Sequence, residues 1–212
     1  MHPQKQSRRS VLSSPLLSSV FLRAGAAAIA LSLSSTALAV ENPQVALKTT
    51  MGEIVVELDQ ENAPKSTANF LQYVKSGFYK GTVFHRVIDG FMIQAGGYTE
   101  KLVDKPGVRK PIASESKNGL SNKPYTVAMA RTDNPNSATS QFFINVGDNA
   151  GLDYPGQDGH GYTVFGRVVK GQETVDKIRA VVVDDMRGMQ NVPVTPIVIQ
   201  STTLLKGEKL VK

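Results

Sequence analysis

Hydrophobic and polar residues follow two periodicities in the first part of the chain. The apolar run at 45–49 and the alternation at 53–58 predict two strands, the second with one buried face. Asn62-Ala63-Pro64 predicts the start of a helix, because proline suits the first helical turn. Apolar residues then recur at helical spacing over 70–78, with a glycine near the end. This apolar face is expected to lie in the core.

The rest of the chain alternates short apolar segments with polar loops. Asp89-Gly90 predicts a hairpin turn, and a second helix is predicted at 172–180. Strands are predicted at 83–88, 91–94, 126–130, 141–145, 162–169 and 197–205, with long loops at 98–125, 131–140 and 148–161. Many short strands with two helices favour an antiparallel barrel or sandwich. Loops this long in a compact domain usually carry function.

The first 39 residues differ from the rest of the chain. Arg8 and Arg9 precede a small apolar run at 24–33, and the segment ends in an A-x-A pattern at Ala39. This order predicts a secretory signal that is cleaved after Ala39 and leaves one domain at 40–212. The apolar run is shorter than the ~20 residues that a spanning helix needs, so no stable membrane anchor is expected. A periplasmic location is predicted, by the Sec or the twin-arginine route.

Composition and charge remove several functional classes. The chain has 212 residues and no cysteine, which excludes disulfides, a thiolate nucleophile and cysteine-ligated metals. The net charge is +6, but four of the 24 basic residues lie in the leader: Lys5, Arg8, Arg9 and Arg23. The remaining 20 basic residues nearly balance the 18 acidic residues, so the mature part is close to neutral. No nucleic-acid partner is expected.

Standard hydrolytic and nucleotide-binding motifs are missing from the sequence. There is no G-x-S-x-G, H-E-x-x-H or G-x-x-x-x-G-K-[ST] pattern. The mature part contains only two histidines, His85 and His160, without carboxylates at metal-ligand spacing. Neither a metal nor a cofactor is expected. Counting residues alone leaves a Ser–His pair open, although nothing in the sequence positions one.

Two segments place polar side chains among large apolar ones. Residues 84–97, FHRVIDGFMIQAGG, carry Arg86 before the predicted turn and Gln94 after it. Residues 140–145, SQFFIN, place Gln141 and Phe143 on one face of a strand. Taken alone, the phenylalanines are equally consistent with plain core packing.

Together with YTVFGRV at 162–168, these motifs resemble the cyclophilins, and the similarity runs in order across 45–205. The resemblance implies a closed eight-stranded antiparallel β-barrel capped by two α-helices, with a substrate groove on the outside. It also implies a peptidyl-prolyl cis-trans isomerase of the bacterial periplasmic branch. Such an enzyme rotates X-Pro bonds without a cofactor. Its partners would be proline-containing unfolded or partly folded polypeptides.

The resemblance also implies residue roles. Arg86 would be the catalytic residue, donating to the prolyl nitrogen or anchoring the neighbouring carbonyl, and Gln94 would orient it. The substrate-binding residues would be Phe91, Met92, Gln94, Ala130, Arg131, Gln141, Phe143, Leu152 and Tyr162. Of these, the proline ring would be held by Phe91, Met92, Phe143 and Leu152. His85 is expected to be a structural residue behind the groove.

Three positions differ from the best-known eukaryotic cyclophilins. Gly151, Tyr162 and Arg131 stand where those proteins carry Trp, His and Asn, so tight cyclosporin binding is not expected. One alternative is a catalytically weak peptide-binding or chaperone module on the same fold. Another is a hydrolase on a similar barrel, which lacks a recognisable nucleophile. A monomer is expected, because no heptad or exposed apolar stripe is present.

Overall fold

A computed structural model describes residues 41–206, so the predicted signal and its cleavage site lie outside the described residues. The strands are β1 (Gln44–Thr49), β2 (Gly52–Leu58), β3 (Thr82–Ile88), β4 (Met92–Thr99), β5 (Thr126–Met129), β6 (Phe142–Asn145), β7 (Val164–Lys170), β8 (Val183–Met186), β9 (Met189–Pro193) and β10 (Ile199–Lys206). The helices are α1 (Pro64–Lys75), α2 (Gln172–Arg179) and a 3-10 turn (Ala150–Leu152). No helix between residues 41 and 206 is long and apolar enough to cross a membrane.

Eight strands form one antiparallel sheet in the order β10-β1-β2-β7-β5-β6-β4-β3. The sheet is strongly curled, and its two end strands, β3 and β10, approach each other along a seam. Only one bridge, Val83 to Val198, and two backbone bonds, Gly81 N to Ile199 O (2.8 Å) and Phe84 N to Ile197 O (3.0 Å), join them. The prediction of a closed barrel is therefore wrong in this detail. Pro196 borders the seam and has no N–H to extend a ladder.

Helix α1 starts where the sequence predicts, with Pro64 in its first turn. Ala63 provides no side-chain cap, and a carboxylate from the long loop replaces it. Glu115 accepts hydrogen bonds from the backbone N–H groups of Lys65 (2.9 Å) and Ser66 (2.8 Å) and from the Ser66 hydroxyl (2.8 Å). These bonds satisfy free N–H groups and place a negative charge at the positive end of the helix. The loop at 98–125 is thereby fastened to α1.

Alternation along the central strands creates two apolar clusters on opposite sides of the sheet. On β6, Phe142 joins the interior cluster and Phe143 the outer one; on β4, Ile93 lies inside and Met92 outside. The largest fully buried side chains of the interior include Phe70, Tyr73, Tyr79, Phe84, Phe142 and Phe165. The outer cluster is smaller. Its central side chains are buried, and the partly buried residues around them, such as Phe91 and Leu152, are the part that reaches the solvent.

The predicted strands and helices are found, and one hairpin was missed. Strands β8 and β9 pair with each other and turn at Arg187-Gly188, where φ is +53° and +79°. Positive φ at both central residues is typical of a two-residue hairpin turn. Arginine is not a usual residue at such a position, and the strands are mostly exposed, so the sequence gives neither a turn signal nor an alternating pattern. The hairpin packs against β3 through β9.

Candidate active site

Four predicted site residues lie on the outer face of adjacent strands. Arg86 on β3 is the cross-strand partner of Gln94 on β4, and Gln94 is the partner of Phe143 on β6. Phe143 in turn pairs with Ala128 on β5. Met92 lies two residues before Gln94 and faces the same side. Neighbouring strands are about 4.8 Å apart, so a guanidinium, an amide and an aromatic ring follow one another across the sheet.

A β-bulge at His85 decides which way Arg86 points. Phe84 pairs with Ala95 and Arg86 with Gln94. The chain therefore advances by two residues on β3 and by one on β4, and His85 is the extra residue. Without it, Phe84 and Arg86 would share a face. With it, Phe84 enters the interior cluster while Arg86 is exposed on the outer face. The bulge therefore re-aims the residue that the resemblance marks as catalytic.

The outer cluster gathers the residues predicted to form the proline pocket, and two of its members, Met92 on β4 and Phe143 on β6, lie on the next two strands along the sheet from that of Arg86. All four residues predicted to hold the proline ring belong to it or pack against it. Its members are Met92, Ala128, Ala130, Phe143 and Val164, with Ile88, Phe91, Leu120, Leu152 and Tyr162 partly buried around them. Sequence analysis missed Ile88, Leu120, Ala128 and Val164. Alternation along β5 and β7 is the signal that could have identified two of them, Ala128 and Val164.

The side chains of Arg86 and Gln94 differ in their hydrogen bonding. The Arg86 side chain makes no hydrogen bond or ion pair with any residue in the part of the chain that the structure describes. The side-chain Nε2 of Gln94 donates to Oε1 of Gln141 at 2.9 Å. Within residues 41–206 no side-chain hydrogen bond joins Gln94 to Arg86, so Gln141, not Arg86, fixes the Gln94 amide. The Arg86 donors remain available to a ligand.

A cleft lies beside Gln94 and Gln141. It has a volume of about 160 Å³ and is lined by Gln94, Ala130, Arg131, Thr132, Ser137, Thr139 and Gln141. A larger cleft of about 350 Å³ lies near Glu57 and Arg167 and contains none of the predicted site residues. Among the described residues, no group of three or more His, Asp or Glu side chains is placed to hold a metal ion. Of these two clefts, only the smaller one is lined by predicted site residues.

Comparison with known proteins agrees with this geometry. Residues 44–204 match the family model described as cyclophilin type peptidyl-prolyl cis-trans isomerase/CLD. The chain belongs to this family. It is 54% identical over 163 residues to the peptidyl-prolyl cis-trans isomerase cyp18 of Streptomyces antibioticus, covering 76% of this chain and 98% of that one. It is 50% identical over 185 residues to peptidyl-prolyl cis-trans isomerase A of Dickeya dadantii, covering 85% and 96%.

A solved structure supports the same assignment. The crystal structure of a Cryptosporidium parvum cyclophilin type peptidyl-prolyl cis-trans isomerase matches with a TM-score of 0.64 at 26% identity. The match covers 79% of this chain and 99% of that one. The isomerase family predicted from the motifs is thus confirmed, as is a mainly β cyclophilin fold with two helices.

In this cyclophilin, His85 is buried behind the groove and packs edge-on against Tyr98, with ring centroids 4.7 Å apart. Its Nδ1 has no hydrogen-bond partner in the described part of the chain. Burial lowers the pKa of His85 from 6.5 to about 4, although a backbone hydrogen bond to Val83 opposes the shift. The imidazole is therefore neutral at neutral pH, which fits a structural role.

This pKa shift has an expected consequence for stability. The folded state disfavours the protonated ring, so its contribution is complete above pH 6.5 and is lost as the pH falls towards 4. The free energy of unfolding is expected to fall across that window by up to about 1.4 kcal/mol per pH unit. Urea unfolding at several pH values measures this slope, and His85→Phe should flatten it. An equal slope in wild type and variant would contradict the assignment.

The glycine at position 97 makes room for Gln141. A Cβ at Gly97 would lie 2.5 Å from Cδ and Nε2 of Gln141, and its φ is one that alanine can adopt. Because the obstacle is a flexible side chain, Gly97→Ala is expected to move Gln141 and break its bond to Gln94 without unfolding the protein.

The expected result for Gly97→Ala is a loss of kcat/KM of about fivefold, the effect of one hydrogen bond of about 1 kcal/mol. The thermal midpoint should change little. In a Gln141→Ala background the same substitution should have no further effect on kcat/KM. A full additional loss there would show that Gly97 acts by another route.

Proposed function

We propose that this cyclophilin accelerates rotation about X-Pro bonds in exported proteins and assists their folding in the periplasm. The observation that carries the catalytic part is an exposed guanidinium, Arg86, without a side-chain partner, on the same face of the sheet as the apolar cluster around Met92 and Phe143, which is the proposed proline pocket. The reaction has a barrier of ~18–20 kcal/mol because of amide resonance. No covalent bond changes, so no nucleophile, metal or cofactor is needed.

The pocket and Arg86 have separate tasks in this mechanism. Phe91, Met92, Phe143 and Leu152 hold the proline ring by apolar contact. As the amide twists, the lone pair becomes localised on the prolyl nitrogen and accepts a hydrogen bond better than in the planar state. A guanidinium that donates to this nitrogen, or holds the adjacent carbonyl, binds the twisted state more tightly. Only such differential binding speeds the rotation.

Gln94, Gln141 and Ala130 would hold the peptide beside the pocket. The Gln94–Gln141 hydrogen bond fixes both amides, which leaves one acceptor on Gln94 and the amino group of Gln141 for the substrate backbone. Tyr162 would close the pocket on the side of Phe143, since the two rings meet edge-on with centroids 5.8 Å apart.

NMR exchange spectroscopy on a short X-Pro peptide tests the catalytic part of the proposal. Uncatalysed exchange takes ~10–100 s, so catalytic amounts of protein should bring it into the range of the method. Chemical-shift changes in the protein report binding in the same samples. Binding without acceleration would favour the catalytically weak binding module. The absence of both binding and acceleration would contradict the proposal.

The support for export is the order of parts in residues 1–39, with Arg8 and Arg9 before a short apolar run and Ala39 at its end. The mass of the protein recovered from a periplasmic extract should correspond to a chain that begins at Val40. Changing Arg8 and Arg9 to lysine together should block export only if the twin-arginine route is used. An intact N-terminus in the cytoplasm would contradict the proposed location.

A further inference from the structure

The side chain of Arg131 is buried although the resemblance places it in the substrate groove. Only 3% of it is exposed. Its Nε and Nη2 both donate to the Gly161 carbonyl, at 3.1 and 2.8 Å, and Nη1 donates to Thr132 O at 2.9 Å. Nη2 also forms an ion pair with Asp158 Oδ2. A guanidinium has five N–H donors, so internal partners take up most of its binding capacity.

Asp158 links this guanidinium to the end of the loop at 148–161. While Oδ2 faces Arg131, Oδ1 accepts hydrogen bonds from the backbone N–H groups of His160 (2.9 Å) and Gly161 (3.0 Å). The hydrogen bond from Arg131, followed by those two backbone bonds, holds the pKa of Asp158 well below its usual range. The carboxylate therefore stays charged, and residues 158–161 are folded around it.

The same guanidinium contacts the wall of the pocket. Its central carbon lies 4.2 Å from the centroid of the Tyr162 ring, a cation–π distance. The Tyr162 ring also meets Phe143 edge-on. The backbone N–H of Tyr162 donates to the carbonyl of Leu152 at 2.8 Å. Tyr162 thus contacts both Arg131 and Phe143, and its backbone is bonded to a second residue of the predicted pocket, Leu152.

We propose that Arg131 is a positioning residue, which with Asp158 holds Tyr162 and Leu152 as a fixed wall of the proline pocket and makes no contact with the substrate side chains. The inference rests on the proposed function and replaces the substrate-binding role that the resemblance gives Arg131. Other attachments of the loop lie elsewhere; among them, Asp153 accepts from Asn122 N and Nδ2, at 2.7 and 2.9 Å, and Ser116 Oγ donates to His160 O at 2.6 Å. None of these contacts the Tyr162 ring.

A preformed wall lowers the cost of binding, because the pocket does not have to be ordered when the proline ring enters. The wall formed by Tyr162 and Leu152 makes no contact with the substrate that strengthens as the amide twists. Loss of the Arg131–Asp158 pair is therefore expected to weaken peptide binding and to leave the exchange rate at saturation nearly unchanged. Arg86→Ala should show the opposite pattern.

The test compares Arg131→Ala with Asp158→Ala in the full chain, using one X-Pro peptide and NMR titration together with exchange spectroscopy. Both variants are expected to raise the peptide Kd about tenfold, with the exchange rate at saturation changed less than about twofold. Asp158 lies outside the pocket, so equal effects indicate positioning. A loss of binding in Arg131→Ala alone would show direct substrate contact and overturn the proposal. If Asp158→Ala fails to fold, Asp158→Asn removes the charge and keeps the Oδ1 acceptor.

Tyr162→Leu supplies a readout that general destabilisation would not move. Adding Arg131→Ala to Tyr162→Leu should raise the Kd by less than about twofold, because the guanidinium then has no ring to position. A second increase of about tenfold would contradict the proposal. The matched control is Arg167→Ala, which removes an exposed ion pair with Glu57 (2.8 Å) and should leave the Kd unchanged.

The same samples separate this inference from the proposed function. Wild type and Arg86→Ala report whether rotation is catalysed at all. The Kd values report the wall even if the wild-type protein binds without catalysing.

Discussion

Arg86→Ala is expected to lower kcat/KM by about 10²–10³-fold, the usual effect of removing one donor aimed at transition-state charge. The loss should lie mainly in kcat, because the apolar pocket that holds the proline ring is untouched. The Arg86 side chain is exposed and makes no hydrogen bond or ion pair within residues 41–206. The free energy of unfolding is therefore expected to change by less than about 0.5 kcal/mol.

NMR exchange rates and urea unfolding of the same preparations measure both parts of this expectation. Arg86→Lys is the matched control, because it keeps the positive charge and loses the planar fork of donors. Its activity should fall between those of wild type and Arg86→Ala. Full activity of Arg86→Ala would remove the proposed mechanism, whereas an unfolded variant would show that Arg86 has a structural role.

Phe142→Ala is expected to lower the free energy of unfolding by about 3–5 kcal/mol, the range for removal of a buried aromatic ring. Phe142 is fully buried and packs edge-on against two rings of the interior cluster. Its centroid distances are 5.3 Å to Phe70 and 5.5 Å to Tyr79. The cavity left by alanine would be surrounded by side chains of the sheet and of α1, which limits relaxation.

The neighbouring residue provides the comparison for this prediction. Phe143 lies on the outer face in a much smaller cluster. Phe143→Ala is expected to reduce the free energy of unfolding less than Phe142→Ala and to abolish measurable binding of an X-Pro peptide. Urea unfolding ranks the two stabilities, and NMR titration ranks the affinities. If Phe142→Ala also lowered peptide affinity more than Phe143→Ala does, the assignment of Phe142 to the core and of Phe143 to the binding face would be contradicted.

The sequence predicts most of the secondary structure because its signals are local. The proline at position 64 and the alternation at 53–58 lie within single elements, and both predicted features are present. Alternation also correctly separates Phe142 from Phe143. The resemblance adds which outer-facing residues form the site, and the pairing of Arg86, Gln94 and Phe143 across three strands fits that prediction.

Other features depend on contacts between distant segments, which have no local signal. The bulge at His85 exists only relative to β4, and no glycine marks it in the sequence. The role of Arg131 depends on partners about 30 positions away, Asp158 and Gly161. Closure of the barrel failed as a prediction because it depends on how β3 and β10 meet. Each of these features required three-dimensional coordinates.

The open seam gives the two halves of the site unequal mechanical support. Strand β6, which carries Phe143, has a ladder on both sides, whereas β3, which carries Arg86, has one only on the side of β4. Its other edge is held by a single bridge, by the two backbone hydrogen bonds of the seam and by packing of β9. Stiffness therefore decreases from the ring-binding surface towards the guanidinium. Substitutions along the seam are therefore expected to change the curvature of the sheet. Such a change would alter the distance between the Arg86 guanidinium and Phe143 without altering the packing of the core.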